Sequence, residues 1–419
     1  MKKILALSLT LVLLLSVVCA CNDEKETKKK PSTNSSSVSS TEDVSSVESE
    51  ISSEEVTSDE STSSEEEVAD KPVVNTSSTP EEEEKEEKPE NEEPEAEEEE
   101  ESTGYQILKT LQGGINFSGM DHGQSVKDKN IYIYDRSYYE LIADAGFDHI
   151  RLPVGMGAHV ISEGPDYLLD NESLRYLDVA LDYALDAGLV IFLDNHHGSC
   201  YEDKEKFVRI WEQLAERYQY YPDELMFELV NEPNGLSDNH VNEVQMAAVE
   251  VIRKTNPTRI LALAPNQWNG YYKIWDTQIP STLNEKGQIE YDKNIVLSVH
   301  IYNDLDFTHQ GAMSSDGKAS HWRDSLAVSV TEALAACLDY EERTGRQCWI
   351  SEWGAFQGGH RPGECDLGCM EKYYKHFTSE CARMDLAYAV WEFNVGFGIY
   401  DNSKNQFYDY LFDNMIIKW

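Results

Sequence analysis

Aromatic and basic residues are the two groups that this 419-residue chain lacks over long stretches. No Phe, Trp or Tyr occurs before Tyr105, although the chain holds 8 Trp, 23 Tyr and 12 Phe. Lys and Arg number only 35 against 78 Asp and Glu, which gives a formal net charge of −43. A nucleic-acid-binding domain needs a basic face, so this balance argues against nucleic acid as a partner.

Long apolar runs are also missing, apart from one at the N-terminus. Residues 4–18 are apolar and follow Lys2 and Lys3. This run is shorter than the roughly 20 residues that cross a bilayer, and its basic start and small-residue end are typical of a secretory signal. Its last residues, Val18-Cys19-Ala20-Cys21, resemble a bacterial lipobox. We therefore predict a lipoprotein signal peptide over 1–21, lipid on Cys21, and anchoring to the extracellular face of the membrane. Cleavage after Ala20 and secretion is the alternative.

Residues 22–102 lack the apolar side chains that a folded core requires. They hold 30 acidic and seven basic residues, and most of the others are Ser and Thr. Such a segment cannot bury enough apolar surface to offset its ordering entropy, so we predict a disordered acidic linker. A functional acidic tail that binds cations or basic partners is the alternative.

Cysteine is sparse in the remainder of the chain. Six follow the signal, namely Cys200, Cys337, Cys348, Cys365, Cys369 and Cys381. An exported protein can pair some of them, and six allow 15 connectivities between which sequence does not choose. Cys365-x3-Cys369 lacks the spacing and the second ligand pair of a zinc site. We predict neither a metal nor a cofactor.

Residues 103–419 form one predicted catalytic domain of the α/β class. Apolar runs that predict strands cover 113–117, 147–154, 189–195, 226–231, 260–264, 295–300, 349–352 and 387–391. Helical periodicity covers 137–146, 173–188, 204–220, 241–255, 324–344, 370–384 and 407–417, whereas 271–293 is predicted to be largely loop. Eight strands alternating with helices predict a closed (β/α)8 TIM barrel.

Polar and aromatic side chains collect where the predicted strands end. They are Asn116, Arg151, His196, His197, Asn231, Glu232, Trp268, His300, Tyr302, Glu352 and Trp391. The C-terminal strand ends of such a barrel meet at one face and build its active site. Polar groups gathered in a dry cleft cost desolvation unless something uses them, so these residues predict a functional site.

Six motifs in this series resemble the successive signatures of glycoside hydrolase family 5. They are Ile150-Arg-Leu-Pro153, Asp194-Asn-His-His197, Asn231-Glu-Pro233, His300-Ile-Tyr302, Glu352-Trp-Gly354 and Trp391-Glu-Phe-Asn394. Order and strand position match the family across about residues 113–402, whereas Asn-Glu-Pro alone would be a weak signal. The resemblance implies a barrel with catalytic carboxylates on the fourth and seventh strands.

The resemblance also implies residue roles. Glu232 would be the general acid/base and Glu352 the nucleophile of a retaining glycosidase. Arg151 and Tyr302 would keep Glu352 ionised, and the nearby anion would raise the pKa of Glu232. Asn231 would bind the sugar 2-OH. His196 and His300 would bind hydroxyls or orient the carboxylates, and Trp391 would lie beneath the reacting sugar.

Plainer explanations exist for several of these residues. Glu352 could be a structural partner of Arg151, and His197 could cap or pack. Trp268 and Trp322 could be substrate platforms or packing residues. Two residues are predicted to be structural: Trp211 lies on an apolar helix face, and Glu228 shares its strand face with Glu232 as buried scaffold.

The predicted function is retaining endo-β-1,4-glucanase activity of a monomer. The segments 307–312, which includes His309, and 391–401 resemble family members that act on β-1,4-glucans. A β-mannanase or another β-glucanase of the same family, active on xyloglucan or β-1,3-glucan, is the alternative enzyme. A surface lipoprotein that binds glycans without cleaving them is the alternative outside enzymes.

Overall fold

The computed structural model describes residues 101–120, 135–197, 200–309, 322–356 and 367–415. The strands within them are β1 (Gly113–Asn116), β2 (His149–Val154), β3 (Val190–Asn195), β4 (Leu225–Glu228), β5 (Leu261–Leu263), β6 (Ser281–Leu283), β7 (Ile289–Tyr291), β8 (Ile295–His300), β9 (Cys348–Trp353), β10 (Tyr388–Val390), β11 (Tyr400–Asp401) and β12 (Gln406–Phe407). The helices are α1 (Thr103–Leu108), α2 (Arg136–Ala145), α3 (Asn171–Asp186), α4 (Lys204–Tyr218), α5 (Asp238–Ile252), α6 (Asn266–Asn269), α7 (Leu305–Thr308), α8 (Asp324–Thr344), α9 (Leu367–Met384) and α10 (Asp409–Phe412). Met156–His159 and Tyr271–Asp276 form 3₁₀ turns.

Eight of the strands close into a parallel barrel. Their order around it is β1, β2, β3, β4, β5, β8, β9, β10, which is also their order along the chain. These are the eight strands expected from the apolar runs, so the predicted TIM barrel is confirmed.

Local sequence signals explain where the helices begin and end. Asp and Ser side chains accept the first free N–H groups of helices α2 to α5, at Asp135, Asp170, Asp203 and Ser237. Such caps replace hydrogen bonds that the first turn of a helix cannot make internally. Gly146 and Gly345 end α2 and α8 with left-handed backbone at φ 103° and 67°, a conformation that glycine adopts without steric cost.

The barrel interior below the site is largely apolar. Phe192 of β3 stacks on Trp349 of β9 with ring centroids 3.7 Å apart, and the Trp349 indole N–H donates to His149 Nε2 over 3.0 Å. Leu108 of α1 and Leu111 pack against the same cluster and close this end of the barrel. The buried cluster of charged and amide side chains lies instead at the opposite end, where the strands finish.

A β-bulge interrupts the pairing of β8 with β9. Val299 pairs with Ile350 but His300 pairs with Glu352, so Ser351 is an extra residue on β9. Strict alternation would turn Glu352 away from the interior that Trp349 and Ser351 face. The bulge instead lets Ser351 and Glu352 both reach the barrel mouth, as bulges beside active sites commonly do.

Three predicted boundaries are wrong. Strand β4 ends at Glu228 rather than at Asn231, because the backbone leaves the regular ladder before Glu232, whose φ is +47°. The predicted loop 271–293 contains the 3₁₀ turn and the exposed hairpin β6–β7. The predicted helix 407–417 is reduced to α10, because Phe407 pairs with Tyr400 in β11–β12; residues 416–419 lie outside the described ones.

The N-terminal predictions are mostly beyond the described residues. Cys21 and residues 22–100 lie outside them, whereas Ser102, assigned to the linker, caps α1 by accepting the N–H of Tyr105. Where the chain is described, no helix is both long and apolar enough to cross a bilayer. Among the described residues Cys337, Cys348 and Cys381 are buried free thiols, and Cys365 falls in an undescribed segment.

Candidate active site

Arg151 is the centre of the polar cluster at the barrel mouth. It lies in β2, is 0% exposed, and bonds two carboxylates below the mouth: Glu228 through Nε (2.5 Å) and Nη2 (3.1 Å), and Asp194 through Nη2 (2.9 Å). A third carboxylate, Glu352, accepts from Nη1 at 2.5 Å. Burial lowers the pKa of Arg151, but these three anions outweigh that effect and raise it well above its ordinary value. The guanidinium is therefore a permanent buried cation.

Two amides complete the shell around the guanidinium. Asn116 Oδ1 accepts from Arg151 Nη1 at 3.0 Å, and Asn231 Oδ1 accepts from Nη2 at 2.6 Å. The Asn116 amide also donates to the carbonyl of Ser351 at 2.8 Å. Asn116 thus joins β1 and β9 behind the site, while Asn231 lies at the rim with its Nδ2 available to a ligand.

Glu352 is held from two sides. Its Oε1 accepts from Arg151 and its Oε2 from the Tyr302 hydroxyl at 2.9 Å. The predicted contacts with both partners are therefore present. The residue is 4% exposed, and its burial raises its pKa to about 7 against the opposing effects of His300, Arg151 and Tyr302. That Arg151 and Tyr302 keep Glu352 ionised stays a prediction, because both lower its pKa while desolvation raises it.

Glu232 lies opposite Glu352, with its side chain 29% exposed to the mouth. Its Oε1 is 3.0 Å from His300 Nδ1, and the same ring nitrogen is 3.5 Å from Glu352 Oε2. One carboxylate oxygen of each glutamate and one ring nitrogen of His300 lie within 4.8 Å of one another. Burial raises the pKa of Glu232, and it lowers the pKa of His300 to about 4. The imidazole is therefore neutral between two carboxyl groups.

These three residues are also the described group that comes nearest to a metal site. Their ligand atoms are close enough to share an ion. Glu352, however, already bonds the Arg151 cation and the Tyr302 hydroxyl, which compete with a metal for its oxygens. The arrangement is better suited to proton transfer between carboxyl groups than to metal coordination.

His196 and Trp391 form a second wall of the mouth. His196 Nδ1 is 2.6 Å from Asp194 Oδ2, which fixes the ring, and the ring lies parallel to the Trp391 indole at 5.5 Å. His197 is exposed beside it, with ring centroids 4.6 Å apart. Trp391 is therefore placed to offer an indole surface at the end of β10.

Other predicted residues divide between mouth and packing. His309 is partly buried and packs against Tyr302 and Phe397 at 5.0 and 5.2 Å, and burial lowers its pKa to about 4. Trp268 is 55% exposed after β5 and so is open to a ligand. Trp322 packs between Phe307 and Tyr373, which favours the packing interpretation.

Both predictions of structural residues are confirmed. Trp211 is 0% exposed, and its indole N–H donates to the carbonyl of Leu229 at 3.0 Å. Glu228 is equally buried, and burial raises its pKa against the pull of Arg151.

Four polar residues of the cluster were not singled out from the sequence as site residues: Asp194, Asn269, Ser298 and Ser351. Ser298 Oγ donates to Glu228 Oε1 at 2.6 Å and lies 2.6 Å from Ser351 Oγ. Asp194 and Ser298 follow Phe192 and Val296 by two residues, so strict alternation along β3 and β8 could have indicated their inward direction. Nothing comparable marks Asn269, which lies in a left-handed turn.

Comparison with known proteins assigns this arrangement to a family. A family model described as cellulase (glycosyl hydrolase family 5) matches residues 106–396, well over half of the chain. The chain belongs to glycosyl hydrolase family 5. The resemblance inferred from the six motifs is thereby confirmed, and the family's matched region spans all eight barrel strands.

Individual relatives in the family are similar over the barrel. Endoglucanase H from Acetivibrio thermocellus is 28% identical over 276 residues, covering 63% of this chain and 27% of the relative. Endoglucanase C from the same organism is 31% identical over 345 residues, covering 70% and 95%. Among solved structures, Thermotoga maritima Cel5A in complex with a mannotriose substrate has a TM-score of 0.67 and 26% identity, covering 75% of this chain and 100% of that chain.

The chain spans about a quarter to a third of the length of two of these relatives. It covers 27% of Endoglucanase H and 32% of Cellulase/esterase CelE, also from Acetivibrio thermocellus. The rest of each relative lies outside the region matched to this chain.

Proposed function

We propose that this family 5 chain is a retaining endo-β-1,4-glucanase that hydrolyses cellulose or mixed-linkage β-glucan by double displacement. The observation that carries the proposal is the facing pair Glu232 and Glu352, with oxygens within 4.8 Å across the barrel mouth. Retaining glycosidases hold their two carboxyl groups about 5–5.5 Å apart, whereas inverting enzymes need about 6.5–9.5 Å to admit a water molecule. The short separation supports retention.

The surroundings of the two carboxyl groups support different roles. Glu352 accepts from the Arg151 cation and the Tyr302 hydroxyl, two donors that favour its ionised form. Among the described residues, the carboxyl group of Glu232 has the neutral imidazole of His300 as its hydrogen-bond partner. With one proton between the two groups, it belongs on Glu232. Glu352 is then the nucleophile and Glu232 the general acid/base.

The two displacement steps follow from this charge arrangement. In the first, the Glu352 carboxylate attacks the anomeric carbon while Glu232 gives its proton to the glycosidic oxygen, so that the aglycone leaves as an alcohol. A glycosyl ester on Glu352 remains. In the second, the Glu232 carboxylate takes a proton from water as the water attacks the anomeric carbon and releases Glu352. Both carboxyl groups end in their starting states.

The remaining mouth residues support sugar binding in this proposal. Asn231, fixed by Arg151, is suited to bind the 2-OH, a contact that strengthens in the transition state. Trp391 and the exposed Trp268 offer flat apolar surfaces to sugar rings, and His196, His197 and His309 offer hydrogen bonds to hydroxyls. These groups would bind the polysaccharide, and the chemistry needs no cofactor.

A β-mannanase activity is the second candidate. The similar Thermotoga maritima Cel5A was solved in complex with a mannotriose substrate, and other structures of that protein hold cellobiose. Mannose and glucose differ in the configuration at C2, so the contact made by Asn231 bears directly on the choice.

A product profile tests the substrate. Cellohexaose, mannohexaose and barley β-glucan are incubated with the purified chain, and the products are resolved by chromatography. We expect internal cleavage of cellohexaose and β-glucan with little cleavage of mannohexaose. Faster cleavage of mannohexaose would favour the mannanase, and three intact substrates after hours would leave a non-catalytic glycan-binding protein.

We also propose that the protein is anchored to the outer face of a bacterial membrane through lipid on Cys21. The support is the basic, apolar and lipobox-like order of residues 1–21. Labelling of the full-length chain with a fatty acid in a bacterial host is expected to mark the wild-type protein and not Cys21→Ser. Equal labelling of both, or of neither, would contradict the anchor. The monomeric state stays a prediction.

A further inference from the structure

Asn269 is a buried amide next to the chain segment that carries Glu232, and the mechanism does not use it. It ends α6, directly after β5, and is 0% exposed. Its Oδ1 accepts the backbone N–H of Glu232 at 2.8 Å. Its Nδ2 donates to Ser298 twice, to the carbonyl at 3.1 Å and to Oγ at 2.9 Å. The oxygen and nitrogen of this amide thus bond the chain after β4 and strand β8, which flank β5 in the barrel.

The first contact holds a backbone that would not keep its position unaided. Glu232 has φ +47°, a left-handed conformation that residues with a β-carbon adopt at a cost. Its side chain is partly exposed, and its direct carboxyl partner is the His300 ring. The direction of this carboxyl group is therefore set largely by the orientation of its own backbone, which the Asn269 oxygen fixes.

The second contact leads to the opposite carboxyl group. Ser298 Oγ accepts from Asn269 and donates to Glu228 Oε1 at 2.6 Å. Glu228 in turn holds the guanidinium of Arg151, which binds Glu352. A continuous series of hydrogen bonds thus joins the backbone of Glu232 to the carboxylate of Glu352. Within this series, Asn269 connects the Glu232 backbone to Ser298 of β8.

We propose that Asn269 is a positioning residue that aims Glu232 at the glycosidic oxygen and keeps it in register with Glu352. This inference rests on the proposed roles of the two glutamates. Its consequence is specific: loss of the side chain weakens proton delivery to the leaving group more than it weakens attack by Glu352. A residue that only stabilised the fold would slow all substrates alike.

Aryl β-cellobiosides with leaving groups of graded acidity test this consequence. A dinitrophenolate leaves without help from an acid, whereas an unsubstituted phenolate needs the proton from Glu232. Asn269→Gly is the preferred variant, because Asn269 has φ +53° and glycine occupies that conformation without strain. We expect kcat/KM to fall on the order of 10²-fold for the phenyl substrate, the cost of a misaligned catalytic group, and to change by less than about threefold for the dinitrophenyl substrate.

Two further variants separate position from stability. Ser298→Ala leaves the bond to Glu232 in place but removes the donor to Glu228, so it is expected to slow all leaving groups by a similar factor. Asn256→Ala is the matched control. Asn256 is a buried amide that precedes β5 and donates to the carbonyl of Ala215 in α4. This variant is expected to lower the Tm without changing how kcat/KM depends on the acidity of the leaving group.

The outcomes are distinct. A steeper dependence on leaving-group acidity in Asn269→Gly than in Asn256→Ala supports the positioning role. An equal loss for all leaving groups in Asn269→Gly, or a lower Tm with unchanged kinetics, would overturn it. Glu232→Gln is run alongside. If kcat/KM of that variant does not depend on leaving-group acidity, the acid/base assignment of Glu232 is wrong. The role proposed for Asn269 is then rejected as well.

Discussion

Glu352→Gln is expected to remove nearly all turnover on every β-glucan and every aryl glycoside. The glutamine amide is nearly isosteric, but it cannot form the glycosyl ester, so no first displacement takes place. Loss of a nucleophile that acts in concert with its neighbours costs on the order of 10⁴-fold or more in kcat. Initial rates on barley β-glucan and on dinitrophenyl cellobioside measure the loss.

Glu232→Gln is expected to behave differently on substrates that need no acid. The first displacement on dinitrophenyl cellobioside should proceed, since its leaving group departs unprotonated. The second step lacks a base and should become slow, so a burst of dinitrophenol equal to the enzyme concentration should precede a slow steady state. On polysaccharide, loss of the general acid should cost about 10²–10⁴-fold. Stopped-flow absorbance and mass spectrometry of the covalent adduct report the two steps.

A matched control separates these effects from the cost of altering any buried carboxyl. Glu341 is partly buried, its pKa is raised to about 7 by burial, and it accepts the N–H of Cys348 at the opposite end of β9 from Glu352. Glu341→Gln is expected to retain wild-type rates. Equal losses for Glu352→Gln and Glu232→Gln on the dinitrophenyl substrate, with no burst and no adduct, would reject the assigned roles.

The arrangement of strands was predictable because each barrel strand is buried on both faces. Such strands appear in the sequence as short continuous apolar runs, such as 189–195 and 295–300, and the polar residue after each run marks the mouth. Helix limits were predictable where a cap is encoded, as at Gly146 and Gly345. Every strand-end residue named from the sequence except Trp268 makes a side-chain contact with another residue of the mouth.

The sequence does not show where the backbone departs from regular strand geometry. The bulge at Ser351 turns Glu352 inward, and the left-handed backbone at Glu232 turns that residue after β4 has ended. Neither departure changes residue type or spacing in a recognisable way. The same holds for Asn269, whose partners Glu232 and Ser298 lie 37 and 29 residues away. Irregular backbone at a functional site is held by tertiary contacts, and these are absent from local sequence.

Arg151→Lys is expected to cost both activity and stability, although it keeps the charge. The guanidinium bonds Asp194, Glu228, Glu352 and the oxygens of Asn116 and Asn231 at the same time. A lysine ammonium has three donors at a single point and cannot reach such a spread of acceptors. Buried carboxylates are then left without a partner, which disfavours their charged forms and raises their pKa values further.

The pH dependence of kcat/KM is expected to shift in a defined direction in Arg151→Lys. Glu352 has a pKa of about 7 with Arg151 in place, and loss of its Nη1 contact should raise that value. The nucleophile must be ionised, so the acid limb of the kcat/KM profile should move to higher pH in Arg151→Lys. At neutral pH a larger share of the enzyme is then inactive. We expect a loss of about 10²-fold in kcat/KM and a clear decrease in Tm.

Arg217→Lys is the matched control. Arg217 makes a two-point contact with Asp178 between α4 and α3, away from the mouth and only partly buried. That substitution should cost about 1 kcal/mol of unfolding free energy or less and leave the pH profile unchanged. Removing the Arg151 cation entirely, in Arg151→Met, should destabilise the barrel by about 3–5 kcal/mol, because breaking a buried ion pair leaves uncompensated charges. Wild-type rates and an unshifted acid limb in Arg151→Lys would mean that the guanidinium fork does not hold the nucleophile.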